Sequence, residues 1–242
     1  LQAAVLRLLC AIGAGPCREI CALTGASMQT VTRLCKLGLL EQQEREVLRS
    51  PKQELPPPAE PITLTDEQQT AFDGLSAQME REKPGAALLY GVTGSGKTAV
   101  YVALIQKALD EGRSAMLLVP EIALTPQLLG RMTAHFGKTV AVLHSSLRVG
   151  ERYDEWRRIA RGEARVVVGT RSAVFAPLQS PGLLILDEEQ EHTYKSENNP
   201  RYHAREAAIF RGYQDHALVL LGSATPSVES MYQAKNGVYS LY

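Results

Sequence analysis

Apolar positions recur every three or four residues at the start of the chain. Val5, Leu6, Leu8, Leu9 and Ile12 share one helical face, so the spacing predicts a helix over 1–12, which Gly13-Ala14-Gly15-Pro16 stops. Cys17 to Leu23 predicts a second short helix. Ser27 is placed to cap a third over Met28–Leu37, with Val31, Leu34 and Cys35 on one face and Gln29, Thr32, Arg33 and Lys36 on the other. Gly38 ends it. Leu39–Gln42 and Arg45–Leu48 then predict two strands of a polar hairpin. Three helices and a hairpin are expected to form a winged-helix domain over 1–50. Its third helix would offer Gln29, Arg33 and Lys36 to a DNA groove, or would be an ordinary solvated face.

The pattern breaks at Pro51, Pro56, Pro57, Pro58 and Pro61. Consecutive prolines favour an extended spacer, so 51–61 is expected to be a linker. Beyond it, over 62–242, the period changes. Thr65 is placed to cap a helix, and unbroken apolar runs predict strands at Ala87–Tyr90, Ala115–Val119, Val140–Leu143, Val166–Val168, Leu183–Leu186 and Leu218–Leu221. Helices are expected between them, among them Gln127–His135, Glu151–Ala160 and Ala204–Tyr213. Strands without polar alternation imply an α/β fold with a parallel sheet buried on both faces. Ligands of such sheets sit at the carboxyl ends of the strands, which is where the chemically informative residues fall.

The strongest of these stretches is Gly91-Val92-Thr93-Gly94-Ser95-Gly96-Lys97-Thr98. It matches the phosphate-binding pattern G-x-x-x-x-G-K-[ST] between a strand and a helix. Gly91, Thr93, Gly94, Ser95 and Gly96 would cradle phosphate oxygens with backbone N–H groups at the helix start. Lys97 would reach the β- and γ-phosphates of ATP, and the Thr98 hydroxyl would sit on Mg²⁺. The second stretch is Leu183–Gln190, in which an apolar strand delivers Asp187 and Glu188. Asp187 would hold the Mg²⁺, and Glu188 would orient or deprotonate the attacking water. An acidic pair at a strand end is weak alone; after a phosphate loop it becomes specific.

Composition narrows the class. The 242 residues carry no formal net charge, so any nucleic-acid contact must come from local patches. No apolar run is long enough to span a bilayer, and no secretory leader is visible. The four cysteines all precede residue 40, form no Cys-x-x-Cys, and are expected to be reduced, small buried hydrophobes in a cytoplasmic protein rather than a zinc site.

Together these motifs resemble the superfamily 2 helicases, whose first motor lobe is a RecA-like sheet. Within them the chain resembles the PriA family of bacterial replication-restart helicases. The stretches that carry the likeness are Gly91–Thr98, Pro120–Gln127, Gly169–Ala173 and Tyr194-Lys195 with Arg201–Arg205. Gly222–Pro226 looks like the superfamily's motif III. The resemblance implies that Gln68 reads adenine and that Thr125, Thr170 and Arg171 contact the phosphates of the tracking strand. It also implies an aromatic-rich loop that senses single-stranded DNA, with Tyr194 and Tyr202 stacking on bases and Lys195, Arg201 and Arg205 meeting phosphates. Two departures stand out: Gln190 replaces the family's usual histidine, and Ser196 its usual glutamine.

The resemblance further implies 3′-to-5′ unwinding of forked DNA, with single-stranded DNA-binding protein and helicase-loading primosome proteins as partners, and no membrane. Because the sequence starts at Leu1 and ends after motif III, it is expected to be a monomeric piece of a longer protein. The second lobe and a zinc-binding insertion would lie elsewhere, and this piece alone would hydrolyse ATP poorly. The alternatives are a RecG-like translocase on duplex DNA, or a non-enzymatic winged-helix DNA-binding regulator with a nucleotide switch.

Overall fold

Three short helices open the chain: α1 (Gln2–Ile12), α2 (Cys17–Thr24) and α3 (Met28–Lys36). The computed structural model describes residues 1–43 and 56–242. The chain divides into two compact units, Leu1–Val47 and Leu48–Tyr242. In the first, Val5, Ile20, Ala26 and Leu34 close a small core, with Leu6, Leu8, Leu9 and Leu40 packed against it. Gly25 ends α2 in the left-handed region, at φ 65°, where glycine carries no Cβ penalty. Ser27 stands at the N-cap of α3, but its hydroxyl meets Thr30 Oγ1 at 3.3 Å instead of a backbone N–H. Gln29, Arg33 and Lys36 are exposed.

The hairpin is corrected in part. Residues 39–43 form no strand, and Arg45–Leu48 lies outside the described residues. The cysteines are corrected too: Cys10 is exposed and Cys17, Cys21 and Cys35 are half-buried. The core of this unit is closed by Val5, Ile20, Ala26 and Leu34, and the cysteines stand outside it.

The larger unit alternates helices and strands: α4 (Asp66–Met79), β1 (Ala86–Tyr90), α5 (Lys97–Asp110), β2 (Ser114–Leu118), α6 (Pro126–Phe136), β3 (Val140–Leu143), α7 (Val149–Ala160), β4 (Val166–Gly169), β5 (Pro181–Asp187), α8 (Ala204–Asp215), β6 (Leu218–Ser223), α9 (Val228–Lys235) and β7 (Tyr239–Leu241). The sheet has seven strands in the order β3-β4-β2-β5-β6-β1-β7, and each neighbouring pair is parallel. Leu117, Ile185 and Leu220 enter one buried layer with Leu104 and Ile105 of α5. Their neighbours Met116, Leu184 and Leu221 enter the opposite layer with Ala208 of α8. Burial on both sides explains why the strands carry unbroken apolar runs. The seventh strand was not expected, because three residues around Ser240 make no apolar run. It forms because the backbone groups of β1 accept it, with Tyr90 N donating to Tyr242 O at 2.9 Å and Tyr242 N to Leu88 O at 2.9 Å.

The other edge is sealed by a side chain. β3 ends the sheet, and its Val142 N–H donates to Glu155 Oε2 of α7 at 3.3 Å. Arg158 holds both Glu155 oxygens, at 2.8 and 3.0 Å, and donates to Lys138 O at 2.6 Å. An edge strand closed by charged groups offers a poor template for pairing with another chain.

Candidate nucleotide and nucleic-acid site

Parallel strands bring all the motifs to one side of the sheet. The glycine-rich loop follows β1 and enters α5. Gly94 and Gly96 have φ 81° and 83°, a conformation side chains rarely adopt. A Cβ on Gly96 would also strike the Gln68 amide. Lys97 Nζ donates to Gly91 O at 2.6 Å and lies 3.4 Å from Val92 O, so the ammonium is folded over the loop. Thr98 is half-buried one residue on.

Gln68 is placed beside this loop by α4. Thr65 and Gln68 form a capping box: the Thr65 N–H donates to Gln68 Oε1 at 3.0 Å, and the Gln68 N–H to Thr65 Oγ1 at 3.4 Å. The Gln68 amide then donates to Ser95 O at 2.9 Å. Both ends of the amide are therefore engaged, one in the cap and one in the loop.

β5 delivers Asp187 with two tyrosines around it. Tyr101 of α5 donates its hydroxyl to Asp187 Oδ1 at 2.9 Å. The Tyr194 hydroxyl lies 2.6 Å from Asp187 O and 3.0 Å from Leu118 O. Burial pushes the Asp187 carboxyl up from its ordinary range, and the Tyr101 hydrogen bond opposes that push. Burial, and then the Asp187 charge, hold the Tyr101 hydroxyl well above its ordinary value, so it remains a donor. Gly222 of β6 lies against this contact, and a Cβ there would overlap the Tyr101 hydroxyl.

Glu188 follows in the left-handed region at φ 48°. A non-glycine residue there stores backbone strain, which tends to collect at functional sites. Its carboxylate accepts from Gln190 Nε2 at 3.0 Å. Gln190 Oε1 accepts from the Ser223 hydroxyl at 2.6 Å, and Ser223 Oγ accepts from Thr225 N at 2.9 Å. An unbroken relay thus joins the second carboxylate to the end of β6. A glutamine serves in it because its amide donates at one end and accepts at the other.

The residues expected to meet DNA separate into two groups. Thr125 is half-buried and caps α6 by accepting from Leu128 N at 3.2 Å. Arg171 donates to Thr193 O at 3.2 Å and Lys195 O at 2.8 Å, which ties the 193–195 loop to the end of β4. Lys195 and Arg201 are exposed. Tyr202 is half-buried and stands edge-on to Phe175 with ring centroids 4.9 Å apart.

Three expectations are corrected. Tyr194 has 0% exposure and offers no stacking face; its ring fills the core beneath β5. Thr170 is only 3% exposed and cannot reach a phosphate as placed. Arg205 points inward, donating to Glu189 Oε2 at 2.9 Å and Ser227 Oγ at 2.8 Å. Glu189, whose side chain has 0% exposure, also accepts from Ser227 N at 2.7 Å and Ser230 Oγ at 3.0 Å. Sequence reasoning missed Glu189, Tyr101 and Gly222. The third acid of Asp187-Glu188-Glu189 and the tyrosine four residues after Lys97 were the available signals.

The match to a family model covers residues 65–234 and is to the DEAD/DEAH box helicases. The chain belongs to that family. Among curated relatives, it is 47% identical over 244 residues to the replication restart protein PriA of Bacillus subtilis, covering 99% of this chain and 30% of that protein. It is 41% identical over 244 residues to PriA of Chlamydia pneumoniae, covering 99% and 32%. The chain therefore spans about 30% of the length of these relatives. Among solved structures, RecG bound to a three-way DNA junction aligns with TM-score 0.57 at 27% identity, over 75% of this chain and 24% of that one. The UvsW helicase of bacteriophage T4 aligns with TM-score 0.50 over 89% and 77%, at 15% identity, and so supports the fold alone.

Proposed function

We propose that residues 62–242 are the nucleotide-binding lobe of an ATP-dependent DNA helicase of replication restart, that residues 1–50 are its winged helix, and that 51–61 is the linker between them. The observation that carries the motor reading is the relay Glu188–Gln190–Ser223–Thr225, because it connects the candidate hydrolytic carboxylate to a neighbouring strand end. When bound, Mg²⁺-ATP supplies the phosphoryl group and the charge that activates it. Lys97 would meet the phosphates, and Thr98 and Asp187 would hold the metal. Glu188 would orient the attacking water and accept its proton. Gln68, whose amide keeps a second N–H beyond the bond to Ser95 O, would read the adenine.

Single-stranded and forked DNA is the proposed track. Thr125, Arg171, Lys195 and Arg201 would meet its phosphates, which position a motor without reading sequence. Tyr202 would stack on a base. The likeness to PriA supports 3′-to-5′ unwinding at forks and assembly with single-stranded DNA-binding protein and helicase loaders in the cytoplasm. A RecG-like duplex translocase is the second reading, favoured by the alignment with the junction-bound structure.

The test is ATP turnover by a protein of the relatives' full length that contains this chain, with and without forked DNA. Stimulation by DNA, loss of all turnover in Lys97→Ala and retention of only the basal rate in Tyr202→Ala are expected. Turnover indifferent to any DNA would refute the motor reading.

A further inference from the structure

On α7 the usual placement of polar and apolar residues holds at Ile159, which is buried in the core, but is reversed over the first two turns. Asp154 and Glu155 are buried, and Glu155 serves the edge strand β3. Val149, Tyr153 and Trp156, at spacings i, i+4 and i+7, are 75%, 60% and 38% exposed. A stripe of that period normally faces a core; here it faces outward. Arginines flank it. Arg148 and Arg152 are exposed, and the Arg157 guanidinium carbon lies 5.5 Å from the Tyr153 ring centroid, within cation–π reach. Two acids of the helix are turned to other duties: Glu155 is held by Arg158, and Glu151 accepts from the Arg148 N–H at 3.0 Å. The exposed side chains between Arg148 and Trp156 are Arg148, Val149, Arg152, Tyr153 and Trp156, all of them apolar, aromatic or cationic.

We propose that this face of α7 is a stacking platform for single-stranded nucleic acid, distinct from the nucleotide site. Every base has a π-face, so tyrosine and tryptophan rings hold bases without regard to sequence, while adjacent arginines meet the phosphates. A duplex conceals its base faces and fits poorly. An acidic protein segment is the other partner such a face could take. It fits less well, because protein hot spots settle in pockets, whereas α7 lines neither of the cavities around Pro84 and Tyr213 or around Phe72 and Gln106. The platform also begins at the right place. β3 ends at Leu143 and α7 starts at Val149, so Arg152 and Tyr153 lie toward the strand-end side where the motifs gather. Stacking here needs no ATP, and the inference therefore goes beyond the motor reading and does not depend on it.

Trp156 is the single tryptophan of the chain, so its emission reports on this face directly. Titration with an oligothymidylate of about 15 nucleotides is expected to quench Trp156 saturably, and a duplex of equal length to quench it less. Tyr153→Ala and Arg152→Ala should each weaken the affinity at least about fivefold. Arg152→Ala should also flatten the logarithmic salt dependence by about 0.7. Both side chains are exposed, so far-ultraviolet circular dichroism should be unchanged. Unaltered Trp156 emission, whether or not the oligonucleotide binds elsewhere, would overturn the proposal. So would wild-type affinity in both variants, or quenching by polyglutamate in place of the oligonucleotide, which would assign the face to a protein. Loss of ATP turnover with quenching intact would count against the motor alone.

Discussion

Asp187 illustrates how burial and one opposing hydrogen bond together set the working range of a residue. Its carboxyl is raised by burial and lowered by the Tyr101 hydroxyl. Metal binding needs the ionised form, so at limiting Mg²⁺ the acid limb of ATP turnover should lie above the pH of an ordinary carboxylate. Tyr101→Phe removes the lowering contact; the Asp187 pKa then rises further and the acid limb moves to higher pH, with turnover on the plateau less affected. A pH–rate profile checks this, and an acid limb that stays in place or falls would refute it. The stability sign follows from the same shift: between its unfolded and folded pKa values Asp187 binds more protons folded than unfolded, so its contribution falls as pH rises through that window.

Arg205 tests another residue-scale distinction. If it secures Glu189, then Arg205→Ala leaves a buried carboxylate without its counter-charge and should cost about 3–5 kcal/mol of stability, read from denaturant midpoints. A purely DNA-contacting arginine would leave the midpoint unchanged. From sequence alone the residue looked like one more cation in a loop. Its partner lies sixteen positions away across a turn, and no period or motif marks such a pairing.

At the scale of elements, the sequence was most informative where one period dominates. The six long apolar strands and the capping box of α4 follow from local pattern, because parallel strands buried on both faces tolerate nothing else. The pattern fails where long-range pairing decides. β7 is three residues long and exists because β1 has a free side to offer. α7 breaks amphipathic expectation because an edge strand requires a carboxylate. That requirement gives an element-scale expectation: Glu155→Ala should destabilise the unit by about 1–3 kcal/mol, by stranding the Val142 N–H and loosening Arg158. Chemical denaturation measures the loss, and size-exclusion chromatography should show self-association through the uncovered β3 edge. A monomer of unchanged stability would remove the role assigned to Glu155.

At the scale of the whole molecule, every candidate nucleotide residue from Gln68 to Ser223 lies within the unit Leu48–Tyr242. Residues 56–242 expressed alone should therefore bind a fluorescent ATP analogue as the full 242-residue chain does, within about threefold. A larger loss, followed by anisotropy, would mean that the first unit completes the site. Among the described residues, no helix is long and apolar enough to cross a membrane. The site motifs were legible because phosphate loops and metal carboxylates have fixed spacings. The tyrosines that brace them were not, since a buried tyrosine and a DNA-facing one look alike in sequence.

The closeness of Gly222 to Tyr101 also limits how this site can change through time. A methyl group at position 222 would overlap the tyrosine hydroxyl and lie 2.9 Å from its ring carbon Cζ. Substituting Gly222 first therefore displaces the tyrosine, while substituting Tyr101 first releases Asp187 from its donor. A paired exchange that removes the hydroxyl relieves the overlap but still leaves Asp187 without its donor. Position 222 should therefore admit a side chain only where the tyrosine hydroxyl has already been given up, so the order in which the two positions can change is fixed.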